Sequence, residues 1–166
     1  MSGRFLVSAA VTGLLLSATL GAAPVAAQQA VASDSSFIQM AASLGLLQAK
    51  LGKMAAEKGS SPSVKEFGKR MVEEYSKANE ELAAGAKQAA FPAPLLLRQH
   101  KQIVDRFLGM NGSSFDKSYM AQAVSDHNEA ARLFKQEAAG GKVASLKELA
   151  SRMLPAVQQQ QALATQ

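Results

Sequence analysis

The sequence predicts an all-α protein, an antiparallel four-helix bundle with a short extra helix in its crossover. Three observations carry this. Beyond residue 36, apolar side chains recur at alternating spacings of three and four, the period of a single helix face. Glycine, proline and serine breaks divide that pattern into separate segments. No segment alternates apolar with polar residues, and Val, Ile and Thr are scarce. With 166 residues and 48% hydrophobic content, the chain is long enough for one domain with its own core.

The N-terminal segment stands outside the pattern. Arg4 is followed by an apolar run from Phe5 to Leu20 and then by small residues, Val25 and Ala27 among them. A basic start, an apolar stretch and small residues at −3 and −1 describe a secretory signal peptide, cleaved after Ala27. No Arg-Arg pair precedes the run, so the general secretory route is expected. The alternative, an uncleaved anchor, is disfavoured by Ser8, Thr12, Gly13, Ser17 and Thr19, which interrupt the run. Residues 1–27 are therefore read as the signal peptide, 28–35 as a flexible N-terminal segment and 36–166 as the bundle. The mature protein is expected in the periplasm or outside the cell, with no membrane span left after cleavage.

The first expected helix covers 36–58, with Phe37, Met40, Leu44, Leu47, Leu51 and Met54 on one stripe. Ser36 and Gln39 form a capping box at its start, and Gly59 ends it. A second helix begins at Ser61 and Pro62, carries Val64, Phe67, Met71, Tyr75, Ala78 and Leu82 inward, and stops before Phe91 and Pro92. A shorter helix over 95–108 aligns Leu96, His100, Ile103 and Phe107, and glycines 109 and 112 break it. A fourth helix runs from 113 or 114 to 139 with Tyr119, Ala123, Ala130 and Phe134 inward; Gly140 and Gly141 end it through a left-handed residue. The last carries Leu146, Leu149, Met153 and Val157, with Ser145 and Glu148 as a capping box and a bend expected at Pro155.

Linker lengths suggest the topology. The short connections around residues 59–61 and 140–143 make two antiparallel hairpins. Between the hairpins, a helix of about 14 residues covers roughly 21 Å, which with its flanks is enough to return the chain along the bundle. One long crossover between two helical hairpins is the ferritin-like arrangement. A plain five-helix up-and-down bundle is the competing topology.

Charge and composition exclude several functions. Eighteen basic residues stand against thirteen acidic ones, but many pair one helical turn apart, as in Glu66–Arg70, Glu73–Lys77, Lys53–Glu57 and Glu148–Arg152. Without a basic run or an aromatic-studded basic stripe, nucleic-acid binding has no footprint. The absence of cysteine removes disulfides, thiol catalysis and cysteine-ligated metals. Only His100 and His127 could supply imidazole. There is no Gly-x-Ser-x-Gly elbow and no phosphate-binding glycine loop, so no catalytic residue is assigned.

A conventional di-iron bundle needs Glu-x-x-His on two helices, which sets carboxylate and imidazole on one face. Neither histidine has a glutamate three residues before it. A remodelled site for a single divalent metal would use Glu74, Asp126 and His127, which share a height near mid-bundle with Gln48 and Tyr75. The plainer reading of the same residues is a buried hydrogen-bond cluster, with Gln48 and Tyr75 as neutral partners, and it is the better supported of the two. His100 is read as structural or solvent-facing, and the methionines as core filler.

The segment 61–67 (SPSVKEF), Arg70 and Met71, the segment 77–82 (KANEEL), Phe115 and Asp116, Tyr119, Asp126 and His127, and Leu154 and Pro155 occur in that order. Together they resemble the exported bacterial ferritin-like family catalogued as domain of unknown function 4142, over about residues 37–161. The resemblance implies an antiparallel helical bundle outside the cytoplasm, among proteins described as outer-membrane or periplasmic, with no established reaction. It also implies departures. Members commonly carry Glu where this chain has Gln48, and Asp-His where it has Glu74 and Tyr75. A family metal site would have lost one carboxylate and one imidazole here. The expected function is that of a non-enzymatic envelope protein, structural or stress-related, that binds an envelope partner or small ligand, with no cofactor favoured. The alternative is a metal-binding or redox protein using the mid-bundle residues, its ligands completed across a homodimer.

Overall fold

A computed structural model describes the backbone of residues 25–165 and the side chains of 33–165; the apolar run of the expected signal peptide lies outside the described residues. Five helices follow one another: α1 (Val25–Lys58), α2 (Pro62–Gln88), α3 (Arg98–Phe107), α4 (Gly112–Gly140) and α5 (Ala144–Ala164). No strand occurs among the described residues.

Cross-helix contacts fix the directions. Ser60 and Ser61, at the start of α2, donate backbone N–H groups to Asp116 near the start of α4, so α2 and α4 begin at the same end. Phe37 on α1 meets Phe134 late in α4, which sets α1 antiparallel to α4. Arg152 reaches Glu81 and Gln160 reaches Glu74, which sets α5 antiparallel to α2. The long helices therefore form two antiparallel hairpins, α1–α2 and α4–α5, joined by one long crossover. The crossover lies along α1. Gln39 donates to the Pro92 carbonyl, Ser43 accepts from Leu97 N–H, and Lys58 donates to the Leu108 carbonyl. The plain up-and-down alternative is excluded by this course.

Four helix ends differ from expectation. α3 begins at Arg98 rather than at residue 95. α1 begins at Val25 rather than Ser36, so residues 28–35 are helical. Their Ala- and Gln-rich sequence favours helix, and Asp34 within them is 1% exposed. Its Oδ2 accepts the backbone N–H groups of Lys142 and Val143, the two residues that lead into α5. The Ser145–Glu148 capping box is therefore not the start of α5; Val143 is, without a side-chain cap of its own. α4 ends at Gly141 with φ −54°, not in the left-handed region; a Cβ there would lie 2.7 Å from the Glu137 carbonyl oxygen, and crowding explains the glycine. Left-handed backbone is found instead at Ala90, at φ 56° after α2, and at Gly112, at φ 60° where α4 begins.

Most of the expected faces are inward. Phe37, Leu44, Leu47 and Leu51 on α1, Val64, Met71, Tyr75 and Leu82 on α2, Tyr119, Ala123, Ala130 and Phe134 on α4, and Leu146, Leu149 and Val157 on α5 are all buried. They form two apolar clusters. One, around Ile38, Leu82, Phe134 and Leu146, fills the end where the crossover begins. The other, around Leu47, Leu51, Phe107, Phe115 and Tyr119, fills the end where it finishes. α1 and α2 approach through backbone: a Cβ at Gly68 would meet the Gly52 carbonyl oxygen at 2.6 Å and the Ala55 Cβ at 2.8 Å. α5 continues through Pro155 to Ala164. Of the expected one-turn ion pairs Glu73–Lys77 forms at 2.9 Å, whereas Glu66 pairs with Lys69 and Arg152 crosses to Glu81.

Candidate functional site: a polar layer between two apolar clusters

Gln48, Tyr75, Asp126 and His127 sit at one level, between the two apolar clusters. Helical periodicity places them there. Gln48 follows Leu44 and Leu47 on the α1 stripe, while Asp126 and His127 flank the α4 seam between Ala123 and Ala130. Gln48 and His127 are essentially sealed, at 1% and 0% exposure, and Asp126 is also buried.

Asp126 is held at both oxygens by amides. Gln48 Nε2 donates to Oδ2 at 2.7 Å and Gln122 Nε2 to Oδ1 at 2.8 Å. Arg106 on α3 approaches the Gln122 Oε1 at 3.5 Å, so a chain of polarised groups leads from solvent to the buried carboxylate. Burial nevertheless dominates: it pushes Asp126 up to about 6, against the lowering effect of the Gln122 and Gln48 hydrogen bonds and of the Arg106 charge.

His127 donates Nδ1–H to the Ala123 carbonyl one turn back, at 2.6 Å. That bond leaves Nε2 as the lone-pair nitrogen, and Nε2 is buried without a partner. Burial lowers the imidazole below its ordinary value, so the neutral form is favoured, although the Ala123 bond and the Glu74 charge act the other way. The ring packs against Tyr75 at 5.8 Å and Phe67 at 6.4 Å. Burial, reinforced by the charges of Asp126 and Glu74 and by Tyr119, holds the Tyr75 phenol far above its usual range. Gln48 Oε1 and the Tyr119 hydroxyl are also buried without partners.

Glu74 stands apart from this group. It is half-buried at the α2–α5 boundary and accepts from Gln160 Nε2 at 2.8 Å. Thus Gln48, Tyr75, Asp126 and His127 are brought together, while Glu74 turns to α5. The described residues contain no group of three or more His, Asp or Glu that could hold a metal ion. The donor chemistry agrees. An amide N–H from Gln48 occupies the Asp126 oxygen that a cation would need, and Gln48 brings no charge to offset one.

Two further buried polar groups lie outside this layer. His100 takes the structural one of its two expected readings: it is 4% exposed, and its Nδ1 lies 2.6 Å from Ser43 Oγ, which also accepts the Leu97 N–H. Burial lowers its pKa, partly offset by Ser43 and the nearby Glu129 charge. A Ser–His contact of this kind suggests a nucleophile, but Ser43 is fully buried and its oxygen is already engaged, so it pins the crossover to α1. Glu137 is the other. It is 4% exposed, with Oε1 unpartnered, and burial together with the Asp34 charge pushes it up to about 7. Glu137 was missed by sequence reasoning, and its position three residues after Phe134 on the α4 stripe was the available signal.

The molecule is thus a single-crossover helical bundle with a sealed polar layer at its waist. The chain belongs to the family described as Domain of unknown function (DUF4142), which matches residues 20–166. Neither a curated protein nor a solved structure matches it.

Proposed function

We propose that this protein is an exported, non-enzymatic binding or structural component of the cell envelope. The observation that supports it best is the use of the waist residues. Both oxygens of Asp126 and the Nδ1 proton of His127 are spent on partners inside the bundle, and the layer is closed to solvent. A substrate would have to displace those bonds to reach the residues that could act on it. Export is supported by Arg4, the apolar run from Phe5 and the small residues before Gln28. No helix among the described residues is long and apolar enough to cross a membrane.

A second reading has one observation in its favour. The unpartnered Nε2 of His127 is a free imidazole lone pair in a layer that also holds Asp126, Gln48 Oε1 and the Tyr119 hydroxyl, and a single divalent cation would satisfy it. Metal content measured by mass spectrometry, after dialysis against mixed Fe, Zn, Mn and Cu, separates the two. The binding-protein reading expects no retained metal and a melting temperature unmoved by chelator. About one metal per chain or per dimer, lost in His127→Ala, would replace it with the metalloprotein reading.

A further inference from the structure

α2 and α5 pack less closely than the other adjoining pairs of long helices. Between them a cleft of about 370 Å³ reaches through to the α1–α4 seam. Small side chains create it. Ala41 and Ala130 lie on its floor beside Leu44 and Phe134, and Ala78 and Ala156 at its lips. Its walls are otherwise apolar, with the Tyr75 ring on one side and Met153 and Val157 on the other.

The mouth is polar and net cationic. Arg70, Lys77 and Arg152 stand there against Glu74 and Glu81. Both carboxylates already accept a hydrogen bond from α5, from Gln160 and Arg152 respectively, each at 2.8 Å. Those two bridges are two turns apart on α2, about 10 Å, and leave an apolar window between them. Lys77 is engaged by Glu73 at 2.9 Å. Arg70 is exposed and makes no hydrogen bond or ion pair with the described residues. An apolar slot entered beside an uncommitted guanidinium suits a ligand with one hydrocarbon chain and one carboxylate, which Arg can hold through two parallel hydrogen bonds.

We propose that the α2–α5 cleft binds a small acidic amphiphile, its hydrocarbon chain on the alanine floor and its carboxylate at Arg70. This rests on, and makes specific, the binding-protein reading. The ligand packs on Tyr75, whose ring also lies 5.8 Å from that of His127, so occupancy is felt at the waist. The chain has no tryptophan and two tyrosines, so in a Tyr119→Phe variant Tyr75 is the sole strong fluorophore.

The test is calorimetric titration of the purified protein with dodecanoate, with tyrosine emission followed in parallel in the Tyr119→Phe variant. One dodecanoate per chain is expected to bind with saturation and to change Tyr75 emission. Arg70→Glu and Ala156→Leu should each weaken binding by roughly tenfold or more, and dodecan-1-ol should bind more weakly than dodecanoate. Ala156 is exposed at the lip, so its substitution leaves the core intact; helical circular dichroism confirms the fold, and Ala78→Leu provides a second filler. Absence of saturation below the micellar concentration, or binding unaffected by both fillers, would overturn the proposal. So would equal affinity for the alcohol. Cosedimentation with phosphatidylglycerol vesicles that persists in Ala156→Leu would also overturn it, assigning the anion preference to a membrane surface. No amphiphile and no metal would leave the envelope-partner reading standing without the cleft, whereas a stoichiometric metal lost in His127→Ala would remove that reading whatever the cleft binds.

Discussion

Gln48 Nε2 donates to Asp126 Oδ2 across 2.7 Å, joining the middle of α1 to the middle of α4 between two apolar clusters. The bond decides the character of the waist. A neutral amide that donates a proton can sit beside a buried carboxylate without a cation; a second carboxylate could not.

Gln48→Glu therefore replaces a hydrogen bond by a like-charge contact in a sealed site. At pH 8 the variant should lose about 3 kcal/mol of stability, the scale of an uncompensated buried charge. The loss should shrink at pH 5, where the two carboxyl groups share a proton. Urea unfolding at both pH values measures it; an equal loss at both would show that the contact is not electrostatic.

Glu137 makes the wild-type protein less stable as the medium becomes alkaline. Its folded pKa, about 7, is raised above its unfolded value, so its contribution is full at low pH and is lost as pH rises through 7. Asp126, at about 6, acts in the same direction slightly lower. His127 and His100 are both lowered, and their contribution is lost as pH falls below the ordinary histidine value, so they oppose the trend only on the acid side. The two histidines already offset much of this gain by pH 6.5, so the sign is read against a variant: relative to Glu137→Gln, the wild-type melting temperature should rise as pH falls from 8.5 to 6.5. Glu137→Gln should be more stable than wild type at pH 8.5 and lose that advantage as pH falls to 6.5. A parallel profile in the variant would assign the slope elsewhere.

Ala90 occupies the left-handed position after α2 that glycine usually fills. The Phe91 N–H bonds the Ala86 carbonyl and the Ala90 N–H bonds the Lys87 carbonyl, the paired pattern of a helix stop that requires positive φ. Ala90→Gly removes the Cβ penalty and should stabilise the protein by about 1 kcal/mol after the entropy cost of glycine is deducted. The corresponding rise in melting temperature is a few degrees. No rise would mean that the turn relaxes in solution.

Gly68→Ala should act in the opposite sense. The added Cβ meets backbone of α1 rather than a flexible side chain, so the hairpin must part. A loss of about 2 kcal/mol is expected in thermal or urea unfolding. Gly109→Ala, where an added Cβ would meet nothing beyond its chain neighbours within 4 Å, serves as the neutral control for added side-chain bulk.

The helices, their inward faces and the crossover could be read from the sequence because each depends on periodicity or linker length. The meeting of Gln48 with Asp126 could be read as well, since rise per residue places both at one height. Local rules failed where the partner is remote. Ser145 looks like a cap, yet the lead-in to α5 is held by Asp34, more than a hundred residues earlier, as the bond from Lys142 shows. Glu74 lies on the correct stripe edge, but the competing amide of Gln160 on α5 draws it away from the waist. His100 could be placed on a short helix but not assigned to the buried Ser43 beneath it, because the crossover's path over α1 is a tertiary fact.

The carboxylate of Asp34 has a further consequence for how the two hairpins depend on each other. It belongs to the first hairpin, but the backbone donors it satisfies lead into the last helix. Until α1 docks, the lead-in to α5 has unpaired amides; until α5 is in place, Asp34 lacks its donors. Neither half is complete alone, and the joint closes between the two ends of the described fold. Severing the chain in the crossover would part Asp34 from the lead-in to α5, and Asp116 from Ser60 and Ser61 at the start of α2. Loss of structure is thus expected to be cooperative, with the hairpins melting together.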